Sequence, residues 1–357
     1  MTIRTAVIGA SFAKAAYLPA LKLIEDVEVV ALSSARIESA QSAASQFGVP
    51  HAYDDWEKML AAHELDLVCI ATPTLYHAPM TLMALDRGAH VLCEKPMAMS
   101  AAETQQMLNR AEALNRVNVI GHELRFNPNR RRIRDLIRDG AIGTVRHANL
   151  WNITPAWGDP ASRPKGDWWS LASMGGGRLG ANGSHQIDLI RFWLGDIGAL
   201  TGQVRTMVPN RIDKNTGEAW TATADDLSYF NAEMTSGALV SCFMSGVARH
   251  NMDNHVQIFG SEGSILLSNS DEKLMFAHTG EPFQDISESD PNADLPGVNK
   301  GIWNVSVVGM MREITDAIRE GRPTREAATF ADGHKTQLAM DAVHESTRLR
   351  QWIHLAC

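Results

Sequence analysis

The chain has 357 residues, of which 45% are hydrophobic and 21% charged. That length and composition fit roughly two globular domains and exclude a disordered or low-complexity chain. Lys plus Arg number 33 against 41 Asp plus Glu, a formal charge of −8, where a nucleic-acid binder shows a basic surplus. The four cysteines, Cys69, Cys93, Cys242 and Cys357, form no CxxC or Cys/His spacing, which argues against a disulfide framework and a zinc site. No apolar run approaches the roughly 18 residues of a membrane span. The N-terminus has no signal-peptide layout, so a reducing, cytoplasmic setting with no membrane partner is the expectation.

Over residues 1–121, short β-branched runs alternate with helix-like stretches. Strands are predicted at Ile3–Ile8, Val27–Leu32, Leu67–Ile70, His90–Cys93 and Val117–Ile120. Helices are predicted at Leu18–Ile24, Ile37–Phe47, Trp56–Ala62, Tyr76–Arg87 and Ala101–Asn115. This spacing builds βαβ units, and right-handed crossovers then give an α/β, doubly wound parallel sheet covered on both faces. Ser100 with Glu103 has the spacing of a capping box.

Residues 122–357 follow a different pattern. A helix at Asn129–Arg138 ends at Gly140, a long irregular stretch covers Trp151–Gly177, and a helix runs over Ser184–Leu194. Strands are predicted at Gly202–Met207, Leu227–Met234, Ala238–Ser245, His255–Phe259 and Ser264–Leu267, with hairpin signals at Thr235-Ser236-Gly237 and Ser261-Glu262-Gly263. This half reads as an α+β domain with an antiparallel sheet. Residues 281–297, polar and with three prolines, read as a mobile surface loop, and helices at Trp303–Glu320 and Ala331–Trp352 follow.

The first strand runs into Gly9-Ala10-Ser11-Phe12-Ala13-Lys14. A dinucleotide fingerprint has glycine at the first, third and sixth positions, and only Gly9 is kept. The context still fits a phosphate turn. Gly9 can make the tight bend, and Ser11 is small enough to let backbone amides approach a pyrophosphate. Lys14 either adds positive charge or crowds the helix–strand contact. The second strand ends in Ser33-Ser34-Ala35-Arg36, with no acid for a ribose 2′-hydroxyl. Two hydroxyls and a guanidinium suit a 2′-phosphate, so NADP is expected in preference to NAD, unless Arg36 is only a solvated helix-start residue. The fourth strand ends in Thr72-Pro73-Thr74 with His77, and the fifth in Glu94-Lys95-Pro96. Both turns lie where parallel sheets bind ligands, and Lys95 points into that crevice.

Glu94-Lys95-Pro96, Thr72-Pro73 with His77, the triplet Gly175-Gly176-Gly177, Gly183-x-His185-x-x-Asp188, Gly260-Ser261-Glu262-Gly263 and Phe330-Ala331-Asp332-Gly333 occur in this order. The pattern resembles the Gfo/Idh/MocA family, relatives of glucose–fructose oxidoreductase and inositol dehydrogenase, over nearly the whole chain. The resemblance implies a Rossmann domain followed by an α+β domain with a large open, mostly antiparallel sheet. It also implies NAD(P)-dependent redox chemistry on a sugar, cyclitol or related polyhydroxylated ring, without a metal. Homodimers or homotetramers paired through the open sheet face are implied as well. On this reading Gly9, Ser11, Phe12, Ala13, Ser33, Ser34, Arg36, Thr72, Pro73, Thr74, His77, Glu94 and Lys95 bind cofactor. Lys95 stabilises developing charge on the substrate oxygen, and His185 is the general acid–base.

Substrate contacts are expected from Lys95, His185, Asn182, Arg125 and Trp157, Arg125 being equally suited to an interdomain salt bridge. Trp151, Trp157, Trp168 and Trp169 supply indoles that either stack on sugar rings or pack internally. One departure stands out. The family's Asp four residues before the histidine is Ala181 here. That substitution and the degenerate glycine fingerprint favour one alternative to a dehydrogenase, a non-catalytic dinucleotide-sensing protein; the resemblance implies a second, a lyase or glycosidase that uses transient oxidation.

Overall fold

The computed structural model describes residues 2–268 and 272–355; Cys357 lies outside them. The chain forms two compact units, Met1–Asn127 with Ser289–His334, and Pro128–Glu288 with Lys335–Cys357. The sequence suggests a boundary at 121/122, with the C-terminal helix free to pack back on the first domain; in the structure residues Ser289–His334 belong to the first unit.

In the first unit, β1 (Ile3–Ile8), β2 (Val27–Ser33), β3 (His51–Tyr53), β4 (Leu67–Ile70), β5 (His90–Cys93) and β6 (Asn118–Ile120) form one sheet. Its order is β3-β2-β1-β4-β5-β6 and every pairing is parallel, the doubly wound order whose direction reverses between β1 and β4. Strand β4 (Leu-Val-Cys-Ile) and the Val91–Cys93 part of β5 read as continuous apolar runs because both faces are covered. Helices α1 (Ala10–Ala15), α2 (Tyr17–Leu21) and α3 (Ile37–Phe47) lie on one face, and α4 (Trp56–Ala62), α5 (His77–Asp86) and α6 (Ala101–Ala113) on the other. The helix predicted at Leu18–Ile24 is α2, Tyr17–Leu21, and the short α1 precedes it, the two separated at Ala16 (φ −132°, ψ −56°). Pro19 sits in the first turn of α2, where its missing N–H costs nothing. At α6 the Ser100 hydroxyl accepts the Glu103 N–H (3.4 Å), while Glu103 accepts from Met99 (2.9 Å).

The second unit opens with α7 (Pro128–Arg138) and β7 (Val145–Ile153) and continues through α8 (Ser184–Leu194), β8 (Ile197–Arg205), β9 (Asn210–Ile212), β10 (Ala219–Thr221), β11 (Leu227–Met234) and β12 (Leu239–Ser245). Then come β13 (Asp253–Gly260), β14 (Gly263–Ser268), β15 (Lys273–His278) and β16 (Gln284–Asp285). The first unit's α9 (Ile302–Glu320) follows, then α10 (Phe330–Leu349) and β17 (Ile353–His354). Helix α9 gives Val307, Val308, Met310, Met311, Ile314 and Ile318 to the core that covers β1 and β2. A helix's own period cannot tell which sheet it will cover, and this contact is seen only in the structure.

The large sheet has the order β16-β15-β14-β13-β7-β12-β11-β8-β17. It is antiparallel except for the β12–β7 pair. Strand β7 lies within the stretch that no strand was predicted for and takes Trp151 out of the irregular segment. Its buried positions are Ala148, Leu150 and Asn152, and small or polar residues there hide the alternation. Strand β11 alternates cleanly, with Ser228, Phe230, Ala232 and Met234 buried. The opposite face of this sheet carries exposed Tyr229, Leu239 and Phe243. Tyr229 stacks on Phe243 (6.2 Å), His147 on Phe259 (4.7 Å), and Trp151 lies by His255 (5.4 Å).

Candidate active site

In the first unit the predicted nucleotide residues gather at the carboxyl ends of β2, β1, β4 and β5. Gly9 has φ +103°, and a Cβ there would lie 2.2 Å from the Ala71 carbonyl oxygen. Only glycine lets the β1 turn pass so close to the end of β4. Its N–H donates to Ser33 O (2.8 Å) and α1 starts at the next residue, with no side-chain cap. The N–H groups of a first helical turn have no partner within the helix. Here Ser11 is exposed and Ala13 buried, leaving that turn open to a pyrophosphate, so the residues present fit a dinucleotide. Ser33 is buried, Ser34 half-buried, and Arg36 exposed at the start of α3. Phe12 packs edge-on against Tyr17 (5.4 Å).

The two remaining turns are tied together from below. His77 is fully buried, and its ring nitrogens lie 2.8 Å from the carbonyl oxygens of Pro96 and Thr72. Burial lowers its pKa, against the pull of the Thr72, Pro96 and Met97 carbonyls. His77 therefore clamps the Thr72-Pro73 turn to the Lys95-Pro96 turn, where the sequence suggested a residue facing the ligand. Thr74 is buried, and the Thr72 hydroxyl contacts the Met80 sulfur (3.6 Å). Glu94 is also buried. One carboxylate oxygen accepts from the Tyr17 hydroxyl (2.5 Å), the other from the Lys95 N–H (3.1 Å). Burial raises the Glu94 pKa, opposed first by the nearby Lys95 charge and then by the Tyr17 hydrogen bond. Lys95 itself is half-buried.

Arg125 lies in a 3-10 turn, Glu123–Phe126, that follows β6. It is buried and its guanidinium meets both carboxylate oxygens of Asp332. Both residues belong to the first unit, so this is an intradomain pair.

In the second unit, His185 and Asp188 are buried in the first turns of α8. Directly before α8, Leu179–Gly183 forms a π-helical turn that contains Ala181 and Asn182, and such turns recur at functional sites. The Leu179 N–H donates to Asp225 (2.8 Å). Gly177 has φ +125°, and a Cβ there would lie 2.2 Å from an Asp225 oxygen. Gly177, the last of the triplet, thus lets Asp225 reach the turn directly before the helix that carries His185. Burial pushes the Asp225 carboxyl up to about 6. Trp157, the tryptophan expected to meet substrate, is only 4% exposed and lies by the guanidiniums of Arg163 (5.5 Å) and Arg178 (5.9 Å). Its indole is a core element. Trp168 and Trp169 are half-buried and stack on each other (3.8 Å).

Tyr17 and Asp225 were not picked out from the sequence. Tyr17 was the more legible, as a polar-tipped ring inside the apolar run Ala16–Leu21 that needs a buried partner.

The sequence matches "Oxidoreductase family, NAD-binding Rossmann fold" over residues 3–122 and "GFO/IDH/MocA C-terminal domain" over residues 130–266. The chain belongs to the Gfo/Idh/MocA oxidoreductase family. Among its relatives, levoglucosan dehydrogenase of Pseudarthrobacter phenanthrenivorans is 26% identical, over 90% of this chain and 88% of the relative. D-apiose dehydrogenase of Paraburkholderia graminis is 27% identical, over 98% and 89%. A solved levoglucosan dehydrogenase in complex with NADH and levoglucosan shares the fold, with TM-score 0.90 and 24% identity over 100% of both chains. Among the described residues of this Gfo/Idh/MocA protein, no helix is long and apolar enough to cross a membrane.

Proposed function

We propose that this family member is an NAD(P)-dependent dehydrogenase or reductase acting on a hydroxyl or keto carbon of a sugar, cyclitol or similar ring. The observation that carries the reading is Lys95, set on a doubly clamped turn at the carboxyl end of β5 in a dinucleotide-type sheet. The Gly9–Ala13 turn would hold the pyrophosphate and Ser33, Ser34 and Arg36 the adenosine ribose end. When bound, the nicotinamide supplies the hydride acceptor or donor. Lys95 hydrogen-bonds the reacting oxygen and stabilises its developing negative charge. His185 takes the hydroxyl proton in oxidation and returns it in reduction. Levoglucosan and D-apiose in the relatives' names support a sugar-like substrate.

NADP in preference to NAD is part of the proposal, carried by the absence of an acid at the end of β2. So is a homodimer or homotetramer through the large sheet, whose outer face carries Tyr229, Leu239 and Phe243. The test is a panel of sugars, cyclitols and their keto forms, followed by absorbance at the reduced-nicotinamide band with each nucleotide. Turnover of at least one ring compound is expected. No turnover across the panel, with nucleotide still bound, would favour a binding protein.

A further inference from the structure

We propose that Tyr17 is a positioning residue for Lys95 and acts through Glu94; this rests on the role given to Lys95 above. Burying a carboxylate is costly. Glu94 leaves water at the end of β5, with Cys93 nearby and Lys95 beside it, while Cys69 and Glu123 face Tyr17. An ionised carboxylate there needs both oxygens satisfied. The Tyr17 hydroxyl donates to one at 2.5 Å, and the other accepts the main-chain N–H of Lys95 at 3.1 Å. The carboxylate thus joins α2 to the peptide that aims the lysine.

The space around this link is made for it. A Cβ at Gly121 would lie 2.8 Å from the Glu94 oxygen and 3.2 Å from the Tyr17 hydroxyl. Any larger residue at that β6-end position would drive the pair apart. Tyr17 is fully buried and its ring is wedged against Phe12 of α1, so the hydroxyl has little freedom to leave. Burial and the facing carboxylate keep the phenol in its protonated, donating form.

Without the phenol O–H, Glu94 loses a charge-assisted bond, the stronger kind of hydrogen bond. The carboxyl then favours its neutral form, so the charge beside the Lys95 ammonium is lost and the tether on its backbone weakens to a neutral hydrogen bond. A residue that acts through the Glu94 charge has no effect once residue 94 cannot ionise. Tyr17→Phe, Glu94→Gln and the double variant therefore form a diagnostic cycle.

Two readouts are taken on the full chain. The first is the rate of reductive methylation of Lys95, measured by peptide mass, with exposed Lys58 as internal control. It needs no substrate. The second is kcat and KM on a ring compound turned over by the wild type. Tyr17→Phe is expected to speed Lys95 labelling several-fold and to lower kcat by about tenfold or more, with nucleotide KM little changed. Adding Tyr17→Phe to Glu94→Gln is expected to change neither quantity further. An unchanged Lys95 labelling rate in Tyr17→Phe, or an equal effect in both backgrounds, overturns the proposal. If Tyr17→Phe does not fold, Glu94→Gln alone carries the test, and wild-type labelling and kcat in that variant overturn it. A wild type with no turnover defeats the functional reading, while the labelling cycle still decides the positioning role.

Discussion

The Arg125 guanidinium forks onto Asp332, with both carboxylate oxygens 3.3 Å from its nitrogens. Asp332 also accepts the Thr329 N–H at 3.0 Å, so one carboxylate caps the start of α10 and holds the turn after β6. Arg125 is nearly inaccessible and Asp332 about a quarter exposed. Removing one partner leaves a desolvated charge. Asp332→Ala is expected to lower unfolding stability by about 2–3 kcal/mol, below the full cost of a wholly buried pair. Urea denaturation measures it. Because the pair serves the fold, kcat/KM of the folded variant is expected near wild type. A large kinetic loss with intact stability would return Arg125 to the substrate contacts.

Lys95 and His185 separate by kinetics. Lys95→Met keeps length and removes charge, so kcat and kcat/KM are expected to fall together by about 100-fold or more while nucleotide affinity moves much less. His185→Asn removes the proton carrier, worth about 100-fold or more, and is expected to erase one limb of the pH–rate profile. Retained turnover in the first variant, or the same limb in the second, would assign these tasks to other groups.

The sequence carries the first unit further than the second, and particular residues explain why. Strands β1, β4 and β5 are short, mostly apolar runs bounded by turns, and their ends locate Gly9, Thr72 and Lys95 without tertiary information. Strand β7 hides because Ala148 and Asn152 occupy its buried face. What local pattern cannot give is the partner of a polar group. Tyr17 and Glu94 are 77 positions apart, and Arg125 and Asp332 are 207 apart. Trp157 has the composition of a sugar-stacking residue, and only its packing against Arg163 and Arg178 assigns it to the core.

The proposed cofactor choice rests on Arg36. It is exposed at the head of α3, following Ser33 and Ser34. A 2′-phosphate there gains charge-assisted bonds that NAD cannot make, each worth about 1.5–3 kcal/mol. NADP is therefore expected to bind about 10- to 100-fold more tightly than NAD. Arg36→Ala is expected to remove most of that ratio by weakening NADP alone. Tryptophan-fluorescence titration of both nucleotides decides it, and tighter NAD binding by the wild type would reverse the assignment.

His90 opens the strand that ends at the Lys95 turn, and its Nδ1 accepts the Val117 N–H at 2.8 Å, fixing β5 beside the start of β6. A ring nitrogen that accepts carries no proton, so the bond requires neutral imidazole. Burial first, and then the Arg116 charge, lower its pKa to about 4, with Asp66 opposing. In the unfolded chain the same ring takes its proton near the ordinary value of about 6.5. Between these values the unfolded state binds more protons, so stability rises with pH through this window. The contribution is complete above about pH 6.5 and is lost as pH falls toward about 4. The full interval corresponds to about 3 kcal/mol, and because the ring is partly exposed, screening reduces the expected loss to about 1–2 kcal/mol. His90→Gln has no titrating ring, so its unfolding free energy is expected to fall less steeply than that of the wild type between pH 6.5 and pH 4. Urea unfolding of both proteins at intervals across that range gives the difference in slope. Parallel curves would mean that His90 does not carry this acid sensitivity.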